Sequence, residues 1–165
     1  MKDKICLITG TASGMGRIAA KSLAEKGTTL ILVDFDTENG LAARDEIIEA
    51  TGNKSIEYID CDVSSFSELH RLSDHIHEHY SRLDVLINNA GITESMRREN
   101  EDGFEMTLAT NFLGPFLLAQ VTYVSLKHLK LSSEISQRAG ISVVLILIII
   151  GSCILHFVDE ENKPQ

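Results

Sequence analysis

Cysteine and cationic side chains are both scarce in this sequence. The three cysteines, Cys6, Cys61 and Cys153, are far apart and odd in number, so we expect reduced thiols rather than a disulfide framework. Lys and Arg number 15 against 24 Asp and Glu, which gives a formal net charge of −9. This charge makes duplex nucleic acid and anionic membrane surfaces poor partners for the body of the protein. The N-terminal apolar run breaks at Gly10 and is too short for a signal peptide, which predicts a cytoplasmic protein.

Short apolar runs alternate with segments of helical periodicity over most of the chain. The composition, 44% hydrophobic and 24% charged, is typical of a globular domain. The apolar runs predict strands at 4–9, 28–33, 55–60 and 83–88. The periodic segments predict helices at 15–26, 37–51, 65–80 and about 100–130. This alternation predicts an α/β fold with a doubly wound parallel sheet. We expect one domain over 1–130 and a separate tail over 131–165.

A glycine-rich turn, ITGTASGMGR over residues 8–17, connects the first predicted strand to the first predicted helix. Gly10, Gly14 and Gly16 allow a tight turn and a close approach of backbone to ligand. The helix N-terminus beyond them offers free N–H groups to a pyrophosphate. Asp34 ends the second strand, eighteen residues after Gly16, where a carboxylate can accept hydrogen bonds from an adenosine ribose. The pattern predicts a dinucleotide-binding Rossmann fold, an incomplete one with strand order 3-2-1-4 and a fifth strand as an option.

Four motifs follow one another over residues 4–120. They are T-G-x-x-x-G-x-G at 9–16, CDV at 61–63, NNAG at 88–91 and TLATNFLGPFLLAQ at 107–120. In this order they resemble the short-chain dehydrogenase/reductase family, and specifically its retinol-dehydrogenase-like branch. In that family the Asp-Val pair binds adenine, NNAG ends the fourth strand, and the last motif is the helix that carries a catalytic-support asparagine, here Asn111. The resemblance implies an NAD(P)-dependent oxidoreductase that acts on a lipophilic alcohol or carbonyl. The cofactor-binding residues it implies are Thr9, Gly10, Ser13, Gly14, Met15, Gly16, Asp34, Asp62, Val63, Asn88, Asn89, Ala90 and Gly91.

Charge near the predicted ribose site favours NAD over NADP. Asp34 would repel a 2′-phosphate at short range, and the adjacent Phe35 supplies no compensating cation. Ser13 stands in the glycine loop where phosphate-binding relatives often have Lys or Arg. Arg17 is the cation that could reach the same region.

The family's Ser–Tyr–Lys catalytic group has no clear counterpart. Tyr123 and Lys127 have the Tyr-x-x-x-Lys spacing, but they follow Asn111 by twelve and sixteen residues in the same predicted helix. Tyr123 would then lie roughly 18 Å from Asn111 along the axis, too far for the proton transfer that the family requires. Ser152 follows an apolar run, but no tyrosine comes after Tyr123. We therefore expect the catalytic half to be missing. The alternative to an oxidoreductase is a catalytically inactive nucleotide-binding or membrane-tethered interaction module.

An apolar segment, 139–158, contains no Asp, Glu, Lys or Arg. As a helix its twenty residues would span about 30 Å, enough to cross a bilayer as a tail anchor with the N-terminal domain facing the cytosol. As a strand it would be the fifth of the sheet, and an artefactual C-terminus is the third interpretation. His75 and His79 have the i, i+4 spacing of metal ligands, but no carboxylate or cysteine completes an obvious shell, so no metal site is predicted.

Overall fold

The computed structural model describes residues 1–128, with side chains described to residue 122. Its four strands are β1 (Ile5–Thr9), β2 (Thr29–Asp34), β3 (Ile56–Asp60) and β4 (Val85–Ile87). The helices are α1 (Gly14–Ala24), α2 (Thr37–Thr51), α3 (Phe66–His79), α4 (Met106–Leu108) and α5 (Gly114–His128), and a π-helical turn, Ala109–Leu113, joins α4 to α5. Ser152, the segment 139–158 and the predicted boundary at 130 lie outside the described residues.

The strands form one parallel sheet in the order β3-β2-β1-β4, which confirms the predicted fold and strand order. Register places Ile5 opposite Thr29 and Cys6 opposite Val85. All of β1 beyond Ile5 and all of β2 beyond Thr29 are buried. Continuous burial is typical of parallel strands that are covered on both faces, and explains why these segments read as unbroken apolar runs.

Two cores cover the two faces of the sheet. Side chains of α3 and α5, such as Leu69, Leu72 and Leu118, pack on one face. Small side chains of α1, such as Ala20 and Ala24, pack on the other face with Ile47 of α2. The sheet is therefore a rigid base for the loops at the carboxyl ends of its strands.

The predicted helix at about 100–130 begins later than its periodicity indicated. Residues 99–105 form a turn instead, in which the Asn100 side chain accepts hydrogen bonds from the backbone N–H groups of Asp102 (3.1 Å) and Phe104 (2.8 Å). The Glu105 carboxylate then caps the helix by accepting from the N–H groups of Thr107 and Leu108. Asparagine and glutamate side chains that bind backbone donors thus decide where this helix starts.

Within residues 1–128, no helix combines the length and apolar character that a bilayer crossing needs.

Candidate functional site: a dinucleotide cleft

The glycine loop turns tightly between β1 and α1. Gly10 has φ +73° and Gly14 has φ +55°, conformations that L side chains rarely adopt. A Cβ on Gly16 would lie 1.9 Å from the Gly10 carbonyl oxygen, so the turn can close only with glycine there. Ser13 precedes α1 in an extended conformation, and its side chain makes no capping hydrogen bond. The first N–H groups of α1 are therefore left without that cap, as an anion site at a helix N-terminus requires.

Asp34 is fixed at the carboxyl end of β2. Its two carboxylate oxygens accept from the backbone N–H groups of Ala12 (2.8 Å) and Asp36 (3.1 Å). The side chain of Tyr58 donates to the Asp34 carbonyl oxygen at 2.8 Å. The residue is 9% exposed and lines the cleft beside the glycine loop, which is where a ribose-binding carboxylate has to be.

Thr9 and Asn89 connect the end of β1 to the segment after β4. The Thr9 hydroxyl oxygen accepts from the backbone N–H groups of Asn89 (3.0 Å) and Ala90 (3.1 Å). The Asn89 side-chain amide donates to the carbonyl oxygens of Thr9 (3.0 Å) and Gly10 (3.1 Å). We name these four hydrogen bonds the Thr9–Asn89 clamp. They hold the two loops that form the floor of the cleft in one position relative to each other.

Asn111 lies in the π-helical turn and is bonded to the backbone of Ile92. Its side-chain oxygen accepts from the Ile92 N–H and its amide donates to the Ile92 carbonyl, both at 2.8 Å. This pairing connects the loop after β4 to the helix. In the described structure Asn111 thus orients Ile92, and its catalytic-support role stays a prediction.

Eleven of the predicted cofactor residues line a single cleft of about 620 Å³, a volume suited to a small-molecule ligand. They are Gly10, Ser13, Gly14, Met15, Gly16, Asp34, Asp62, Val63, Asn89, Ala90 and Gly91. Thr9 and Asn88 are buried and are not part of this lining. Asn88 is 8% exposed, and its side-chain oxygen has no hydrogen-bond partner among the described residues.

The cleft also contains residues that are absent from the predicted cofactor-binding set. They include Ala12, Phe35, Asp36, Cys61, Ile92, Glu94, Arg98, Met106 and Thr110. Phe35 and Asp36 could have been inferred from their position next to Asp34. Glu94, Arg98 and Met106 could not, because they reach the cleft only through the folding of the long connection from β4 to α4.

The thiol of Cys61 does not have the character of a reactive group. Burial, and after it the charge of Glu68, raises its pKa to about 12. The nucleophilic form of a cysteine is the thiolate, so Cys61 contributes a neutral, apolar surface to the cleft. Among the side chains described, those of residues 1–122, no group of three or more His, Cys, Asp or Glu could hold a metal ion. His75 instead contacts the Glu57 carboxylate at 2.9 Å.

A glycine turn before a helix and a fixed carboxylate after the next strand define a dinucleotide-binding α/β protein. Comparison with known proteins gives the family: a sequence model described as short chain dehydrogenase matches residues 4–144, and the chain belongs to that family. It is 32% identical to human polyprenol dehydrogenase over 99% of this chain and 46% of that protein. It is 35% identical to human retinol dehydrogenase 11 over 78% of this chain and 40% of that protein. The chain thus spans less than half the length of these relatives.

The solved structures agree with the fold. A short-chain dehydrogenase from Sphingobium yanoikuyae in complex with NADPH matches with a TM-score of 0.63 and 27% identity. The match covers 73% of this chain and 48% of that one. The expected resemblance to the family is therefore confirmed.

Proposed function

We propose that the chain binds NAD in this cleft, as the cofactor-binding part of an oxidoreductase for a lipophilic alcohol or carbonyl compound. The observation that carries the proposal is the fixed Asp34 carboxylate beside the open N-terminus of α1. The helix terminus attracts the pyrophosphate, and the carboxylate accepts from the ribose hydroxyls. The names of the relatives, a polyprenol and a retinol dehydrogenase, support the lipophilic class of substrate.

The preference for NAD over NADP rests on the charges near Asp34. A 2′-phosphate placed there would meet the carboxylates of Asp34 and Asp36, which both line the cleft. Arg17, the cation that directly follows the glycine loop, forms an ion pair with Glu46 of α2. Its charge is therefore already paired, and Arg17 is not part of the cleft lining, which supports NAD.

Titration calorimetry with NAD and NADP tests this preference. We expect tighter binding of NAD to the wild-type chain, and a smaller difference between the two dinucleotides in Asp34→Ser. Asp45→Asn is the control, because it removes one negative charge from an exposed position paired with Arg44 and outside the cleft lining. Tighter binding of NADP to the wild-type chain would contradict the proposal.

A second candidate function is nucleotide binding without hydride transfer in the 165-residue chain. Its support is the continuous helical stretch from Met106 to His128, which carries both Asn111 and Tyr123 as the sequence indicated. Twelve residues of α-helix correspond to roughly 18 Å, so Tyr123 is poorly placed to share a reacting atom with Asn111. Absorbance of NADH during incubation with NAD and retinol or a polyprenol distinguishes the candidates. Turnover that is lost in Tyr123→Phe would overturn this second candidate.

Membrane attachment through 139–158 stays a proposal of its own. The match to the family extends through residue 144 and so includes the first part of this segment. This favours a fifth strand of the family's sheet over a membrane anchor. Extraction of cell membranes with alkaline carbonate separates the two possibilities. An anchored protein stays in the pellet, and a fifth strand leaves the chain in the supernatant.

A further inference from the structure

The adenine end of the cleft can be located if NAD binds as proposed above, and the following inference rests on that proposal. The pyrophosphate lies at the start of α1 and the ribose at Asp34. The sheet order β3-β2-β1-β4 then directs the base away from β4 and towards β3. Phe35, Cys61, Asp62 and Val63 line the cleft on that side.

The turn over residues 99–105 is attached beside this same end of the cleft. The Asn100 side-chain amide donates to the Ser64 carbonyl oxygen at 2.6 Å. The Ser67 hydroxyl donates to the Glu101 carboxylate at 3.1 Å. Both contacts fall just after Val63, so the turn is attached to the β3 side of the cleft.

Arg98 lies directly before this turn and is held there by its backbone. Its carbonyl oxygen accepts from the N–H of Met106 at 2.8 Å, and both residues line the cleft. Its guanidinium donates to the Glu94 carboxylate at 2.6 Å. Among the described residues of the cleft lining, Arg98 is the only one with a Lys or Arg side chain.

A guanidinium in this position suits a planar aromatic ligand. It is flat, weakly hydrated and able to stack on a ring while its edge keeps a hydrogen bond to a carboxylate. The Arg98 side chain is 63% exposed, so one face is free to accept a partner without breaking the pair with Glu94. A lysine would keep the charge and lose the flat surface.

We propose that Arg98 is a cofactor-binding residue that stacks on the adenine ring of the dinucleotide, with Glu94 as the positioning residue that holds the plane of its guanidinium. This stacking contact contributes to the affinity only through the adenosine half of the cofactor. It therefore extends to adenosine monophosphate (AMP) and not to nicotinamide mononucleotide.

Titration of the 165-residue chain with NAD, AMP and nicotinamide mononucleotide tests the assignment. We expect Arg98→Ala to weaken NAD and AMP by a similar factor, roughly 3- to 30-fold for the loss of a cation–π contact. Arg98→Lys should weaken both ligands by a part of this factor, because lysine keeps the charge and lacks the flat surface. Binding of nicotinamide mononucleotide should stay unchanged, and Glu94→Gln should weaken AMP by a smaller factor. The matched control is Arg97→Ala, since Arg97 pairs with Glu99 at 3.2 Å and is not part of the cleft lining.

Each other outcome overturns the assignment. Full AMP affinity in Arg98→Lys would show that charge alone is sufficient, and equal losses for both mononucleotides would place the contact on phosphate. An equal loss of AMP affinity in Arg97→Ala would show that the effect comes from the net charge of the protein. If the wild-type chain binds NAD and the Arg98 variants bind it equally well, this inference is wrong but the proposed function stands. A correctly folded wild-type chain that binds neither NAD nor AMP removes the proposed function with it.

Discussion

The Thr9–Asn89 clamp makes a measurable prediction about stability. Thr9→Val replaces the hydroxyl by a methyl group of nearly the same volume at a position that is 2% exposed. The substitution leaves the backbone N–H groups of Asn89 and Ala90 without their acceptor. Packing changes little, so the loss reports on the two hydrogen bonds.

The size of the effect follows from the cost of an unsatisfied buried donor, about 1–3 kcal/mol each. We expect Thr9→Val to lower the free energy of unfolding by about 2–4 kcal/mol, within that range for two donors. Thr9→Ser keeps the acceptor and removes one methyl group, which costs about 1 kcal/mol. The serine variant should therefore be the more stable of the two, although it is the smaller side chain.

Urea denaturation followed by far-UV circular dichroism measures this difference, with the slope of the transition as a check that the same surface unfolds in each variant. A valine variant as stable as the serine variant would refute the reasoning. It would mean that water or another acceptor replaces the hydroxyl, and that the clamp does not join the two loops.

Three further predictions concern the glycine loop, the phenol beside Asp34 and the buried thiols. Gly16→Ala should abolish NAD binding and destabilise the fold, because its Cβ would overlap a backbone oxygen; Gly14→Ala should fold with a cost of about 1–2 kcal/mol from its positive φ. Burial, and after it nearby carboxylate charges, raises the pKa of Tyr58 from 10.0 to about 12. The contribution of Tyr58 to stability is then complete below pH 10 and falls as pH rises towards 12. This fall should be absent when the alkaline unfolding of Tyr58→Phe is measured. Burial raises the pKa of Cys6 to about 11 and is the largest cause of the rise of Cys61 to about 12, so peptide mapping after iodoacetamide treatment should find both unmodified until the protein is unfolded.

Local signals were sufficient for the sheet and for most of the cleft. The apolar runs of β1 and β2 are continuous because both faces are covered, and the glycine loop needs only its own residues to be recognised. Residues that depend on contacts distant in sequence could not be inferred. Asn89 donates across 79 and 80 residues, so its part in the clamp becomes visible only once β1 and β4 are adjacent.

The prediction of where the last helix starts was wrong for a different reason. Hydrophobic periodicity says which residues can share a face, but Asn100 and Glu105 decide the boundary by hydrogen-bonding the backbone. Arg98 owes its place in the cleft to this turn. A charged side chain in a polar connection carries no local signal of a ligand site, and only the folded loop shows which way it is held.

The double attachment of Asp34 has a consequence for the thermodynamics of cofactor binding. A side chain that becomes ordered only on binding reduces the affinity by about 0.5–1.5 kcal/mol of lost rotamer entropy. Asp34 is already held by Ala12 and Asp36 before any ligand arrives, so that loss belongs to folding rather than to association. In the proposed complex with NAD, the carboxylate would meet the ribose in the orientation that it already has in the free protein. The proposed discrimination between NAD and NADP at Asp34 would therefore need no reorientation of this side chain.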